Sequence, residues 1–248
     1  MKVNNIPGFI TVRTSSSRLP NKCFLPFGEK CNVLEHIIRR TKYYNIDPII
    51  CTSTDPSDDP IEKLAIKEGV KYFRGSLINK LQRWADCATE FNLEAFHTVD
   101  ADDPFFDGDE IRRSFNLLLT ENLDLVSPTI ESSAGNASVG YSIKTDTVTR
   151  SLKGLESNTD TEMMWFYLDK LENLKKKVLP SISNNNLKLR LTLDYVEDYW
   201  LLESTRRLVG NLASREDIET LFLKNPDLYK INWFRNTEWK LAQNSKKI

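Results

Sequence analysis

Two hydrophobic periods alternate along the first half of this chain, and that alternation limits the available folds more than any other feature. Strand-length apolar runs at 8–12 (GFITV), 48–52 (PIICT), 70–73 (VKYF) and 95–99 (AFHTV) alternate with segments of helical spacing. In 33–43, Val33, Leu34, Ile37 and Ile38 share one face, and a short helix is expected over 61–68. A longer helix carries Leu77, Leu81, Trp84, Ala88 and Phe91, and another over about 109–120, capped by Asp109, buries Ile111, Phe115 and Leu118. Repeated strand–helix units return each strand parallel to the last. The expected fold class is therefore α/β, a Rossmann-like mainly parallel sheet with helices on both faces. Such sheets bind ligands at the carboxyl ends of their strands, where the polar loops 13–22 and 100–104 begin.

The second half is less regular. Segments 124–130 and 139–144 read as strands, 162–176 as a helix, 181–187 as a loop and 188–193 (KLRLTL) as a strand. Helices over about 197–208 and 214–223 follow, then a frayed NSKKI tail. The expected organisation is one domain over 1–248, with about 124–187 as an inserted lobe shaping an acceptor pocket or a dimer face.

Charge narrows the partners. Lys plus Arg (34) nearly balances Asp plus Glu (35), so no global field favours nucleic acid or an anionic membrane, and a phosphate ligand needs a local cluster. The four cysteines (Cys23, Cys31, Cys51, Cys87) lack C-x-x-C spacing, which fits free thiols in a reducing compartment and argues against zinc. The opening MKVNNIPGFITV is too short and polar for a signal peptide, and no apolar run reaches spanning length, so a soluble, cytoplasmic protein is expected. On that expectation the sequon Asn136-Ala137-Ser138 is a chance match.

Three clusters carry chemistry. The loop Arg13-Thr-Ser-Ser-Ser-Arg18-Leu-Pro-Asn-Lys22 offers guanidinium, ammonium, hydroxyl and backbone donors suited to a polyphosphate, although a solvated basic loop has the same composition. Asp100, Asp102 and Asp103 must face water or share a cation, and magnesium is expected where phosphates complete the ligand set. Asp194 precedes a helix that opens with Glu197 and Asp198, so it is open to metal ligation or to capping. Arg74-Gly75-Ser76 is a turn, or a place where backbone approaches a nucleotide. Arg190 suits an acidic acceptor or the surface, Glu162 is undecided, and His36 and His97 read as structural.

The loop pattern R-x-x-S-x-R-L-P-x-K (Arg13, Ser16, Arg18, Leu19, Pro20, Lys22), followed by Pro26, Gly28 and Lys30, resembles the cytidylyltransferases that activate acidic sugars. The CMP-Kdo and CMP-sialic-acid type synthetases are the best-known members of that group. CTSTDPSDDPI (51–61), YFRGS (72–76) and LRLTLDYVEDYWLL (189–202) resemble the spore-coat-polysaccharide branch of that family. The likeness spans roughly 1–110 and 188–205. It implies a nucleotide-diphospho-sugar transferase fold, Mg²⁺ dependence, a homodimer, and transfer of CMP from CTP to a sugar or sugar-like acid with release of pyrophosphate. It places Arg13, Ser16, Arg18 and Lys22 on the triphosphate, and Asp102 and Asp194 on the metal; Arg13, Lys22, Asp102 and Asp194 would be catalytic. Arg74, Gly75, Ser76 and Asp100 fall in the implied nucleotide pocket, and Arg190 and Glu162 are the acceptor candidates. The choice of CTP rests on the resemblance alone. Two other readings remain open: a glycosyltransferase, because Asp100-Ala101-Asp102 also fits D-x-D, and a non-catalytic nucleotide-binding module.

Overall fold

A seven-stranded sheet organises the molecule, described here from a computed structural model covering residues 5–16, 18–181 and 187–245. Its strands are β1 (Ile6–Thr11), β2 (Ile46–Ser53), β3 (Lys71–Gly75), β4 (Ala95–Asp100), β5 (Leu125–Ser127), β6 (Ser142–Lys144) and β7 (Lys176–Val178), in the order β3-β2-β1-β4-β6-β5-β7. Parallel pairing joins β1 to both β2 and β4, β2 to β3, and β5 to β7. Strand β6 alone runs antiparallel, to β4 and to β5. The mainly parallel α/β architecture expected from the alternating periods is present, and the segment 124–187 supplies β5, β6 and β7 to the same sheet.

Alternate residues of the central strands feed two cores, which is why these strands read as continuous apolar runs. On one face Ile6, Ile10, Ile46 and Ile50 pack with residues of α1 (Val33–Tyr43), α2 (Asp59–Glu68) and α4 (Gly108–Thr120). The same core takes in α8 (Val196–Val209) and α9 (Arg215–Lys224). On the other face Phe9, Ile49, Cys51 and Phe96 meet α3 (Lys80–Glu90), α6 (Thr145–Ser151) and α7 (Trp165–Leu168). Two further helices are α5 (Ile130–Ser133) and α10 (Arg235–Ser245). Among the described residues no helix is long and apolar enough to cross a membrane.

Local chemistry explains several helix starts. Asn32 accepts from the Glu35 amide while Glu35 accepts from the Asn32 amide, a reciprocal cap on α1. Helix α4 is capped by Asp107, whose Oδ1 accepts from the Asp109 and Glu110 amides at 2.9 and 3.0 Å. Asp109, the expected cap, instead sits exposed in the first turn.

The second half departs from the periodicity. The helix expected over 162–176 shrinks to α7, which ends at Leu168, and Asn173 then adopts a left-handed conformation (φ 57°) as the chain turns into β7. The Lys175 amide then docks on Asp124 Oδ2 at 3.0 Å, beside the β5–β7 pairing. The strand expected over 188–193 is not formed. Its amides reach two separate segments, Leu191 to Gly135 O (2.8 Å) and Leu193 to Asp102 O (2.7 Å), so no ladder builds up. Helices α6 and α10 were not legible as helices, and residues 182–186 of the expected loop and 246–248 of the expected tail lie outside the described residues.

Candidate active site

Strand order creates the site. The chain leaves β1 toward β2 and β3 on one side, then returns to place β4 on the other side of β1. Between the carboxyl ends of β1 and β4 the two following loops diverge, and a crevice opens. Residues 12–16 and 18–22 of the loop after β1 contribute one wall; Asp100, Ala101 and Asp102 form the floor. The cation-rich loop and the acidic turn, read separately from the sequence, therefore face each other.

The loop is held at its start. Asp58, 1% exposed, accepts from the Thr14 amide (2.8 Å) and the Thr14 hydroxyl (2.9 Å) through Oδ1. Through Oδ2 it accepts from the Ser53 hydroxyl at 2.5 Å. Trp84 Nε1 donates to Thr11 Oγ1 at 2.9 Å, tying α3 to the end of β1. At the far end Asn21 takes a left-handed conformation (φ 54°) and leads into a short 3₁₀ turn at Lys22–Phe24. Neither Asp58 nor Trp84 carries a sequence signal for this role beyond lying next to a turn or on a helix face.

Three cations enter the crevice from this loop, each on a carboxylate. Lys22 Nζ donates to Asp102 Oδ2 (2.7 Å), Leu193 O (2.8 Å) and Asp194 Oδ1 (3.0 Å). Arg18 Nη2 donates to the same Asp194 Oδ1 at 2.7 Å, beneath the Tyr195 ring. Arg13 donates to Leu77 O (2.5 Å) and Glu162 (2.8 Å), and Lys80 stands 3.6 Å from Glu162. Burial disfavours the charge on Lys22, but Asp102 and Asp194 outweigh it and raise its pKa above the ordinary lysine value. Burial likewise opposes ionisation of Asp194, yet Lys22 and Arg18 prevail and hold its carboxyl below the usual range. Asp194 therefore remains an anion although its side chain is 2% exposed.

The other two aspartates behave differently. Burial, aided by Asp102 and Glu162, pushes Asp100 up to about 6, against the pull of Lys80 and Lys22. Burial and the neighbouring Asp102 and Asp100 push Asp103 well above the carboxylate range, and it pairs with the Thr192 hydroxyl at 2.6 Å. The turn thus holds one carboxylate tied to Lys22 and two whose pKa values burial and like charge raise.

Two connected spaces meet at this point. The smaller, of about 210 Å³, lies under loop 12–22 and is lined by Arg13, Ser16, Arg18, Lys22, Arg83 and Asp102, among others. The larger, of about 770 Å³, extends from Asp100 and Asp194 toward Tyr141, Trp165, Trp239 and Lys176. Arg18, Lys80, Asp100, Asp102 and Glu162 border both. Lys80, at the start of α3, was not among the residues singled out from sequence, since a lone lysine on an amphipathic helix carries no local sign of a site.

The remaining candidates are placed as follows. Arg74 donates to Ser53 O (2.8 Å), Asp55 O (2.9 Å) and Glu62 (2.6 Å), joining β3 to the turn before α2. Gly75 leaves room for α3, since a Cβ there would stand 3.2 Å from Arg83 Cγ and 2.8 Å from the Phe73 ring. The Ser76 carbonyl receives Arg83 Nη1 at 2.5 Å. Arg74, Gly75 and Ser76 line neither space. Arg190 is fully buried, with Nε and Nη2 on Asp198 at 2.8 and 2.9 Å, so a surface position is excluded for it. Asp198 also accepts from the Asp194 and Tyr195 amides and so braces the turn that presents Asp194. The cap position of α8 is Tyr195, not Asp194. His36 and His97 are buried and hydrogen-bonded, His36 to Pro104 O and His97 to Ser142 Oγ and Val139 O.

A Rossmann-like sheet with a cation-lined crevice at its switch point suits a polyphosphate ligand, and comparison with known proteins supplies the class, a nucleotidyltransferase, and the family. Residues 8–222 match the family model described as Cytidylyltransferase, and the chain belongs to that family. It is 29% identical over 236 residues to an uncharacterised protein of Methanocaldococcus jannaschii, covering 92% of this chain and 94% of that relative. It is 32% identical over 110 residues to the spore coat polysaccharide biosynthesis protein SpsF of Bacillus subtilis, covering 42% of this chain and 46% of SpsF. Among solved structures, a cytidylyltransferase from Leptospira borgpetersenii superposes with a TM-score of 0.79 at 23% identity, covering 90% of this chain and 96% of that one. A CMP:2-keto-3-deoxy-manno-octonic acid synthetase complexed with CTP superposes with a TM-score of 0.61 at 12% identity, covering 83% and 99% respectively. Both likenesses establish the shared fold.

Proposed function

We propose that this cytidylyltransferase moves CMP from CTP to a sugar or sugar-like acid, releasing pyrophosphate with the help of Mg²⁺. The observation that carries the reading is the convergence of Arg18 and Lys22 on Asp102 and Asp194 at the sheet's switch point. CTP in the neighbouring Kdo synthetase and the polysaccharide role in the name of SpsF support the substrate class. A cytoplasmic location and a homodimer belong to the same proposal; light scattering tests the second.

The donor set suits magnesium. Among the described residues no three His, Cys, Asp or Glu side chains form a closed metal cage. Asp102 and Asp194 instead give an all-oxygen pair, bridged by Lys22, and magnesium is commonly held by one or two carboxylates together with substrate phosphates. When bound there it would polarise the α-phosphate and lower the pKa of the attacking hydroxyl. The chain's own residues do the rest. Arg13, Arg18 and Lys22 bind the triphosphate and stabilise charge on the departing pyrophosphate. The larger space orients the acceptor, with Trp165 and Trp239 offering flat faces and Tyr141 a hydroxyl. Segment 124–187 supplies part of that wall, the place where acceptor choice is made. The acceptor oxygen attacks the α-phosphorus in line with the departing pyrophosphate, and no covalent enzyme intermediate is required.

The test is a thermal-shift titration with CTP, UTP, ATP, GTP and dTTP, each with and without Mg²⁺, followed by pyrophosphate release with a panel of sugar acids. Ligand at about 100 times its Kd stabilises by roughly 2.7 kcal/mol, a readily visible rise in Tm. A Mg²⁺-dependent rise with CTP alone is expected. A rise with UTP or dTTP in place of CTP contradicts the substrate, and release of a nucleoside diphosphate contradicts the reaction.

A further inference from the structure

We infer that Lys22 guards the cation position: in the nucleotide-free protein its ammonium fills the place between Asp102 and Asp194, and a divalent cation enters once a triphosphate draws Lys22 away. The inference rests on the reading above for the identity of the nucleotide, but its geometry stands apart from it. An ammonium has three protons, and here each has an acceptor: Asp102 Oδ2 at 2.7 Å, Leu193 O at 2.8 Å and Asp194 Oδ1 at 3.0 Å. All three acceptors are oxygens from the two carboxylates and the chain beside them, the kind of ligand a hard divalent cation takes. Lys22 thus occupies a preformed oxygen site as a monovalent stand-in.

Charge decides why it must leave. Asp194 also holds Arg18 at 2.7 Å, and Arg190 stands 3.7 Å from its other oxygen while paired with Asp198. Lys22 and Arg18 already balance Asp102 and Asp194, so a divalent cation added beside Lys22 meets like charge on the carboxylates it would use. A triphosphate reverses this. It brings several negative charges to the mouth of loop 12–22, gives Lys22 and Arg18 new acceptors, and returns the two carboxylates to the metal. The movement is small: Lys22 stands on a 3₁₀ turn after the left-handed Asn21, so its four-carbon side chain can swing while the backbone stays in place. Because coupling between two ligands is reciprocal, nucleotide and cation each favour the other's binding. The guard also keeps the buried Asp194 paired whenever the crevice is empty.

The test measures metal binding, not turnover. Mn²⁺ uptake by nucleotide-free full-length protein is followed by electron paramagnetic resonance for wild type, Lys22→Met, Lys22→Gln and the double variant Lys22→Met/Asp102→Asn, with circular dichroism confirming each fold. Wild type is expected to bind no tighter than millimolar. Both Lys22 variants should bind at least about tenfold more tightly, and Asp102→Asn should abolish that gain. Equal or weaker binding by folded Lys22 variants overturns the inference. So does one-to-one micromolar uptake by nucleotide-free wild type that the single variant Asp102→Asn, folded by circular dichroism, removes, a result independent of how the Lys22 variants fold. CTP is tested separately by thermal shift: if no triphosphate binds wild type, the CMP-transfer reading fails while the Mn²⁺ comparison still decides the role of Lys22.

Discussion

Replacing Asp198 by Ala removes the only described acceptor of a fully buried guanidinium within hydrogen-bond distance. Arg190 and Asp198 are each 0% exposed and joined by bonds of 2.8 and 2.9 Å. The next carboxylate, Asp194, is 3.7 Å from Arg190 and already engaged by Lys22 and Arg18. Breaking a buried pair from one side typically costs about 3–5 kcal/mol, a large share of the roughly 5–15 kcal/mol that holds a domain together. For a chain of this size that corresponds to a fall in Tm of roughly 6–20 °C. The partner truncation should be milder. In Arg190→Met, Asp198 keeps donors in the Asp194 amide (2.9 Å), the Tyr195 amide (2.9 Å) and Asn232 Nδ2 (2.9 Å), so its charge stays solvated by the protein. The assay is urea unfolding of Asp198→Ala, Arg190→Met and the double variant, with stability from linear extrapolation. The expected order puts Asp198→Ala lowest and shows the double variant recovering part of its loss. A loss below about 1 kcal/mol for Asp198→Ala, or a greater loss for Arg190→Met, would refute the reasoning and show that Arg190 finds water or the large cleft on its own.

Other outcomes follow from the same structure. Asp102→Asn and Asp194→Asn should abolish pyrophosphate release while leaving the circular dichroism spectrum unchanged; near-normal turnover in either would remove that aspartate from the mechanism. Asp58→Ala frees the start of loop 12–22 from its anchor at Thr14, so the Kd for CTP should rise by about tenfold, read by calorimetry, with a loss of roughly 1–3 kcal/mol in stability. Gly140→Ala should cost roughly 2–5 kcal/mol in urea unfolding, because its φ is +77° and a Cβ would fall 1.9 Å from Thr98 O. Acid should destabilise the fold through His36 and His97. Burial lowers both to about 4 from 6.5, so the unfolded chain takes up their protons first as pH falls. Their contribution is intact above about pH 6.5, declines below it and is lost by about pH 4, amounting to about 3 kcal/mol each at most. His97→Gln should shallow that part of the stability curve.

Local sequence already determined the architecture's first half and the ingredients of its site. Hydrophobic period reports which face of an element is buried, so β1 to β4 and α1 to α4 were legible from spacing, and helices α8 and α9 nearly to their ends. Strand ends locate ligands in open sheets, so loop 13–22 and the turn at Asp100 could be singled out before any contact was known. Tertiary structure alone decided how those ingredients combine. Lys22 meets Asp102 across 80 residues and Asp194 across 172, and no local pattern encodes a pairing that depends on strand order. The same limit hid the burial of Arg190, which a lone arginine in an apolar run does not announce, and the bracing of loop 12–22 by Asp58. It also explains the misread segments: 188–193 has strand-like alternation but no single partner strand, and 162–176 has helical spacing but turns at Asn173 to pair with β5. Periodicity registers burial; only the packed chain establishes against what.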